Sequence, residues 1–206
     1  MYKDIDALLA GIHDLQEQME AIFEDAHRRF RYTLDGKQVH FSREVQEIQR
    51  RFRVSSLRYI LAARLTSLLT APLIYSMVVP LLLTDLTFTL YQHICFRAYG
   101  IALVRRRNYL VNDRHKLAYL NSIEKINCAY CGYANGVIAY AREIFSRTEQ
   151  YWCPIRHAHR LHGMHARYPH FFDYGDAQAY QTGLEEMRRK LAPKPAGNKP
   201  GAGAAG

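Results

Sequence analysis

The sequence lacks the short motifs that mark the common enzyme classes. Its 206 residues contain no nucleophile elbow, no phosphate-binding loop and no dinucleotide fingerprint. No Glu-x-x-His pair occurs around Glu143 and Glu149, so the ligand pattern of a di-iron carboxylate bundle is missing there. These absences favour a protein that is not an enzyme, and they leave any catalytic residue unknown.

Charged side chains are almost absent from the 32 residues between Arg64 and Arg97, where Asp85 is the single formal charge. This run is well past the roughly 18 apolar residues that predict a transmembrane helix. One straight helix would be about 48 Å long, against a hydrocarbon core of about 30 Å. Because Pro72, Pro80 and Asp85 fall where such a helix would be interrupted, we predict a membrane-inserted helical hairpin that turns between Pro80 and Asp85.

Both flanks of the apolar run are basic, as is typical of segments that face the cytoplasm. The flanking residues are Arg50, Arg51, Arg53, Arg58 and Arg64 before the run, and Arg97, Arg105, Arg106, Arg107, Arg114 and Lys116 after it. This symmetry favours a hairpin with both termini of the chain in the cytoplasm. Two alternatives stay open. One is a single kinked span from about Leu65 to Leu86 followed by an interfacial helix, and the other is a buried apolar hairpin in a soluble helical protein.

The polar residues of the apolar run are candidates for a polar site in the membrane. Asp85 would cost about 2.5–3.5 kcal/mol at bilayer depth, so it should face protein, water or the headgroups. Asp85 could serve a proton or ion path, and His93 is the second candidate for the polar site. The more ordinary role for Asp85 is an N-cap at a turn.

The net charge favours an anionic partner. The chain has 28 Lys and Arg against 19 Asp and Glu, a formal charge of +9. With an apolar run present, the nearest anionic surface is the lipid bilayer, and we expect Arg105, Arg106 and Arg107 to contact its headgroups. No nucleic-acid-binding motif accompanies the charge, so nucleic acid is not an expected partner.

Residues 1–31 have apolar side chains at spacings of three and four, which predicts one long amphipathic helix. The near-heptad spacing is consistent with self-association or a protein partner as well as with packing on the rest of the chain. The start is acidic and has no small-residue cleavage site. We therefore expect no secretory signal and a cytoplasmic N-terminus.

Residues 32–56 predict a short β-hairpin and then a basic helix. Asp35 and Gly36 lie between two alternating runs, a pattern that favours a hairpin turn. Ser42 is the expected cap of the helix, which would continue into a membrane segment over residues 57–104.

Residues 105–191 predict a cytoplasmic helical domain that contains most of the cysteine and histidine residues. We expect one helix capped by Asn112 or Asp113, a turn at CAYCGYANG, and a second helix after it. Residues 192–206, rich in glycine, alanine and proline, predict a disordered tail.

Four residues have the type and order of zinc ligands. The pattern Cys128-x2-Cys131-x21-Cys153-x3-His157 supplies three thiolates and one imidazole, the donor set of a closed tetrahedral site. Zinc is the expected metal, and iron stays open because the ligand types accept both. The site requires the second helix to stop near Phe145, because an unbroken helix of about 27 Å would put Cys131 and Cys153 at opposite ends.

Other uses of these residues stay open. The cysteines lack a secretory context and are expected to be reduced, so they could simply pack at helix ends. If the two helices form an antiparallel hairpin, Asp113 and His115 could join Cys153 and His157 in a mixed site. Glu124 shares a helix face with Cys128 and Cys131 by its spacing, and His159 is a further secondary candidate. Alternatively, Cys128 and Cys131 form a redox dithiol at a helix terminus.

Two resemblances bear on this pattern. CAYCGY and WCPIRH resemble the half-knuckles of rubredoxin-like modules, with His157 in place of the last cysteine, but rubredoxins have strands where this chain predicts helix. More widely, PLIYSMVVPLLLTDLTFTLYQHICFRAYGI, RRRNYLVNDRHKLAYLN, EKINCAYCGYANG and RTEQYWCPIRHA are similar to an uncharacterised family of small bacterial integral membrane proteins. The similarity covers about Ser67 to Tyr174. It implies an inner-membrane location and a shared Cys/His motif, and it implies no activity.

The sequence thus predicts a mainly α-helical bacterial inner-membrane protein with a short N-terminal β-hairpin. Its predicted function is that of a membrane-anchored, zinc-binding accessory or scaffold protein. One alternative is a membrane redox protein that uses Cys128 and Cys131 as a dithiol or iron site. The other is a metal-free scaffold that recruits lipid, or recruits a partner through residues 1–30.

Overall fold

The computed structural model describes residues 2–35 and 38–193 and is mainly helical. Its contacts divide the chain into two units, Met1–Val78 with Val111–Asn135, and Val79–Leu110 with Gly136–Gly206. The elements are α1 (Tyr2–Arg29), β1 (Tyr32–Asp35), β2 (Gln38–Phe41), α2 (Arg43–Arg50), α3 (Ser56–Leu61), α4 (Leu65–Ser76), α5 (Val78–Tyr91), α6 (Ser122–Trp152) and α7 (Ala177–Arg189). Short 3-10 turns lie at Arg106–Asn108, Arg114–Lys116 and Tyr168–His170.

The N-terminal part of the first unit follows the sequence prediction. α1 is one 28-residue helix, and its apolar side chains Ile12, Leu15, Met19 and Ile22 are exposed. The antiparallel pairing of β1 and β2 runs from Tyr32 opposite Phe41 to Asp35 opposite Gln38. The predicted hairpin is therefore confirmed, while Gly36 of its predicted turn lies outside the described residues. The predicted disordered tail also lies outside them from residue 194 onward.

The basic helix is capped as predicted but is broken in two. The Ser42 hydroxyl accepts a hydrogen bond from the Val45 amide at 3.3 Å, as expected of an N-cap. The prediction of one continuous helix into the membrane segment is wrong, because α2 ends at Arg50. A second cap, the Ser55 hydroxyl accepting from the Arg58 amide at 3.3 Å, starts α3.

The apolar run forms one helical stretch, Leu65–Phe96, with an irregular turn at Met77 between α4 and α5. The predicted hairpin turn between Pro80 and Asp85 is wrong, since α5 is helical throughout both residues. Pro80 is tolerated because it lies in the first turn of α5, where its nitrogen needs no intrahelical partner. Asp85 is consequently inside a helix and is not an N-cap. The stretch ends in a wider, π-type turn at Gln92–Phe96.

α6 is one helix of 31 residues where two were predicted. The predicted turn at CAYCGYANG is helical, and neither Asn112 nor Asp113 caps α6. Asn121 is the cap instead, because its side-chain oxygen accepts from the amides of Ile123 and Glu124 at 3.0 Å. The Glu124 carboxylate accepts in return from the Asn121 amide at 2.9 Å, which completes a capping box.

The core of the second unit surrounds the middle of α6. Tyr140 and Ile144 are fully buried there and pack with four further buried residues, Phe96, Ile101, Val104 and Leu191. A smaller cluster joins α7 to the segment after α6, through Tyr168, Phe171 and Met187. α6 approaches backbone closely at Gly136, where an added Cβ would lie 2.8 Å from the Tyr109 carbonyl oxygen.

This close approach predicts that Gly136→Ala destabilises the protein. The new methyl group would overlap backbone that has little freedom to move, and we expect a loss of about 1–3 kcal/mol in the free energy of unfolding. Gly132→Ala is the matched control in the same helix, because its Cβ would make an ordinary 3.4 Å contact with the Val111 carbonyl oxygen. We expect that control to be neutral or stabilising by up to about 1 kcal/mol. Denaturant unfolding of the full chain in detergent measures both, and equal effects would contradict the prediction.

Candidate functional site

The first pair of predicted metal ligands lies on α6 in the first unit. Cys128 is half-buried in the second turn and Cys131 is exposed in the third, and both are free thiols. Their spacing puts them on neighbouring turns of one helix face. A redox dithiol was predicted from a position at a helix terminus, and that premise is wrong because α6 begins at Ser122.

The second pair lies after α6 in the second unit. Cys153 is exposed, and its amide donates to the Glu149 carbonyl at 2.8 Å. The His157 amide donates to the Tyr168 hydroxyl at 2.7 Å, and the two rings stack with centroids 6.2 Å apart. These contacts order the chain that follows α6 without using the imidazole nitrogens.

Within residues 2–35 and 38–193, no group of three or more His, Cys, Asp or Glu side chains is placed to hold a metal ion. The break near Phe145 that the four-ligand site required is absent, because α6 continues to Trp152. Zinc binding by Cys128, Cys131, Cys153 and His157 therefore stays a prediction.

The secondary candidates have other surroundings. The Glu124 carboxylate is engaged in the capping box of α6. Asp113 and His115 lie at the short turn Arg114–Lys116, where the Asp113 carbonyl accepts from the Lys116 amide at 3.0 Å. His159 is exposed on the segment after α6.

On the apolar stretch, the Asp85 carboxylate forms an ion pair with the Arg106 guanidinium. Arg106 donates through Nε to Oδ1 at 2.9 Å and through Nη2 to Oδ2 at 2.5 Å, a bidentate geometry. The Asp85 side chain is 11% exposed and that of Arg106 is 46% exposed. Asp85 was expected to face protein, water or headgroups, and in the structure it faces protein.

A second polar contact lies two turns further along the same helix face. The Gln92 amide is almost fully buried, and its oxygen accepts from the Val104 amide at 2.9 Å. Its nitrogen donates to the Val104 carbonyl at 3.3 Å and to the Tyr140 hydroxyl. Asp85 and Gln92 together therefore hold the returning segment at Val104 and Arg106 against the helix.

The opposite side of the apolar stretch has no such partners. In α5, Leu83 is 61% exposed, Leu86 is 67% exposed and Leu90 is 59% exposed. In α4, Leu65, Leu69 and Leu73 are exposed to a similar degree. Among the described residues, α5 thus has a polar and aromatic side that contacts protein and an apolar side that is mostly exposed.

The remaining predicted residues lie outside these contacts. His93 is exposed, and its Nδ1–H donates to the Thr89 carbonyl at 2.7 Å within the helix, so it does not join Asp85. Arg105 and Arg107 are exposed beside Arg106. Arg106 was predicted as a lipid contact, and the structure instead pairs its guanidinium with a carboxylate.

The sequence analysis missed a charged cluster in the second unit. The Glu143 carboxylate accepts from Arg147 at 2.9 Å within α6 and from Arg167 at 2.8 Å across the segment after it. Burial raises the pKa of the nearby Tyr109 phenol, and the charge of Glu143 raises it further, so Tyr109 stays neutral at physiological pH. Burial lowers the pKa of Arg167, against the opposing effect of Glu143.

A related hydrogen bond joins His165 Nε2 to the Glu149 carboxylate at 2.8 Å, with His165 half-buried against Tyr168 and Phe171. Only the four-residue spacing of Glu143 and Arg147 could have been recognised in advance, because the other partners are distant along the chain.

Comparison of the chain with protein-family models, with curated proteins and with solved structures gives no match. The function must therefore be argued from the residues themselves.

The ion pair predicts an asymmetry between single and double substitutions. Arg106→Met leaves the buried Asp85 carboxylate without its bidentate partner. We expect it to lower the free energy of unfolding by about 1–3 kcal/mol, less than a fully buried pair because Arg106 is partly solvated. Asp85→Asn combined with Arg106→Met removes the uncompensated charge and should recover part of that loss. Unfolding in detergent measures Arg106→Met, Asp85→Asn and the double variant, and additive losses would rule out the coupling.

Proposed function

We propose that the protein is a membrane-attached scaffold that holds the apolar side of Leu65–Phe96 in the lipid bilayer. The observation that carries this proposal is the two-sidedness of the stretch. Its polar residues Asp85 and Gln92 are satisfied by protein, while Leu83, Leu86 and Leu90 are each more than half exposed in the described structure. Polar residues that face protein and apolar residues that face outward are the pattern expected of a helix in lipid.

The neighbours of α5 favour attachment along the membrane surface over a full crossing. Phe88 packs on Phe145 and the Tyr91 hydroxyl bonds to Thr148 at 3.0 Å, which puts the charged Glu143 and Arg147 at the same level of the unit. A crossing at α5 would take those charges to bilayer depth at high cost. Attachment along the surface keeps them in water.

This arrangement also accounts for the basic flanks. A stretch that lies along the surface leaves both flanks on one face of the bilayer, as their shared excess of arginine requires. Exposed Arg105 and Arg107 then contact anionic headgroups. The proposed location is the cytoplasmic face of a bacterial inner membrane, with both termini of the chain in the cytoplasm.

The scaffold role rests on α1. Its exposed apolar residues, Ile12, Leu15, Met19 and Ile22, form a stripe that suits a protein partner or a second copy of the chain. Because α1 is separate in sequence from the apolar stretch, we propose that one recruits a partner while the other holds the membrane.

Membrane attachment predicts that charges on the outward side of α5 release the protein. Leu83→Arg combined with Leu86→Arg should move most of the chain from the membrane pellet to the supernatant, because each arginine costs roughly 2–3 kcal/mol in hydrocarbon. The matched control is Leu161→Arg, which adds a charge at another exposed leucine outside the helix. Sedimentation after alkaline extraction measures the effect. A wild-type chain that stays soluble and monodisperse without detergent would contradict the proposal.

The metal content of the purified protein distinguishes a metal-free scaffold from the zinc-binding scaffold and from the redox protein. For a metal-free scaffold we expect zinc and iron far below one ion per chain, and no visible absorption, in detergent-purified protein made without a metal-affinity tag. Elemental mass spectrometry is the measurement. About one zinc per chain that is lost in Cys128→Ser and kept in the control Cys95→Ser would contradict this expectation and support the four-ligand site. Stoichiometric iron with visible absorption would support redox function instead.

A further inference from the structure

An apolar groove lies in the first unit, between the α3–α4 elbow and the beginning of α6. It consists of two adjoining cavities of about 430 Å³ and 310 Å³. The cavities share four lining residues, Ser67, Ala71, Tyr75 and Asn127, so they form one continuous groove. Its volume is in the range of roughly 300–1,000 Å³ that is usual for small-molecule sites.

The groove exists because α4 and the end of the segment before it have small side chains on the side that faces α6. Ala63, Ser67 and Ala71 follow at intervals of four residues, and each leaves space where a leucine would fill it. Tyr75 comes one turn later and ends this row. Its hydroxyl donates to the Asn127 side chain and its ring packs on Tyr130 with centroids 5.6 Å apart. These contacts hold α4 and α6 together beside the open space.

Among the residues that line the groove, Arg58 is the one with a formal charge. Arg58 lines it, and the sequence has no acidic residue between Glu47 and Asp85. Among the residues that the structure describes, no carboxylate pairs with the Arg58 guanidinium, which is exposed. An arginine beside an apolar groove, with no acidic neighbour along the chain, is complementary to a ligand that is apolar with an anionic end.

We propose that this groove binds one anionic phospholipid, with an acyl chain along Leu68 and Ala71 and the phosphate on Arg58. The proposal rests on the membrane attachment proposed above, because one wall of the groove is formed by α4 of the apolar stretch and by the segment that precedes it. Leu65 and Leu69 of α4 are exposed next to the groove, so a lipid in the bilayer could enter it without crossing water. The bound lipid would stabilise a specific orientation of the first unit at the membrane.

Native mass spectrometry of the full chain in detergent, with added phosphatidylglycerol or phosphatidylcholine, tests the proposal. We expect one retained phosphatidylglycerol per chain, bound about tenfold more tightly than phosphatidylcholine, because the choline cation of phosphatidylcholine offsets the attraction of its phosphate to Arg58. Arg58→Gln should abolish that preference and leave weak binding of both lipids. Ala71→Trp should fill the groove and remove both.

Each variant has a matched control. Arg160→Gln removes an exposed arginine elsewhere, and Leu73→Trp adds the same indole at an exposed position of α4 outside the groove lining. Both should retain the lipid. Because Arg58 is exposed, its substitution keeps the test interpretable even where the tryptophan variant folds poorly.

The outcomes separate the groove from membrane attachment as a whole. If the wild-type chain does not sediment with vesicles, the proposed function fails. If it does, but Arg58→Gln retains phosphatidylglycerol as the wild type does, the groove assignment is overturned. Equal retention of the two lipids by the wild-type chain would also overturn it, since Arg58 would then not distinguish a net anionic headgroup from a zwitterionic one.

Discussion

The second unit depends on satisfying the few polar groups of a helix that is otherwise apolar. Asp85 and Gln92 lie on one face, and each holds a residue of the segment that returns after the helix. A carboxylate or amide without a hydrogen-bond partner beside hydrocarbon would cost several kcal/mol. These hydrogen bonds therefore avoid that penalty as well as adding stability. They fix the position of Val104, whose side chain enters the same core as Tyr140. The need of these buried polar side chains for hydrogen-bond partners thereby determines where the apolar core forms.

The first unit uses the same kind of contact with different residues. The Tyr130 hydroxyl donates to the Ile74 carbonyl at 2.6 Å, and Tyr75 bonds to Asn127, so α4 and α6 are joined by tyrosine hydroxyls rather than by interlocking leucines. Where the outer side of a helix contacts lipid, apolar burial adds little to helix association, and hydrogen bonds and close packing contribute more. The arrangement in each unit is consistent with that environment.

The sequence was most informative where the signal was local. The amphipathic α1, the β-hairpin and the Ser42 cap follow from spacing and turn chemistry, and all are present. The sequence predictions failed where residues outside a segment override its local preference. The CAYCGYANG segment looks like a turn because of its glycines and asparagine, yet the capping box at Asn121 starts a helix that runs through it. The partnership of Asp85 with Arg106, 21 residues away, has no local signal at all.

The chain has one tryptophan, and its location makes the protein its own fluorescent reporter. Trp152 is 49% exposed at the end of α6, with Tyr99 and Tyr151 in edge-to-face contact at 5.4 Å and 5.3 Å between ring centroids. At those distances the tyrosines pass excitation energy to the indole. Emission excited selectively in the indole band therefore originates at a single side chain, and both its wavelength and its polarisation follow the water content and the rigidity of that aromatic trio.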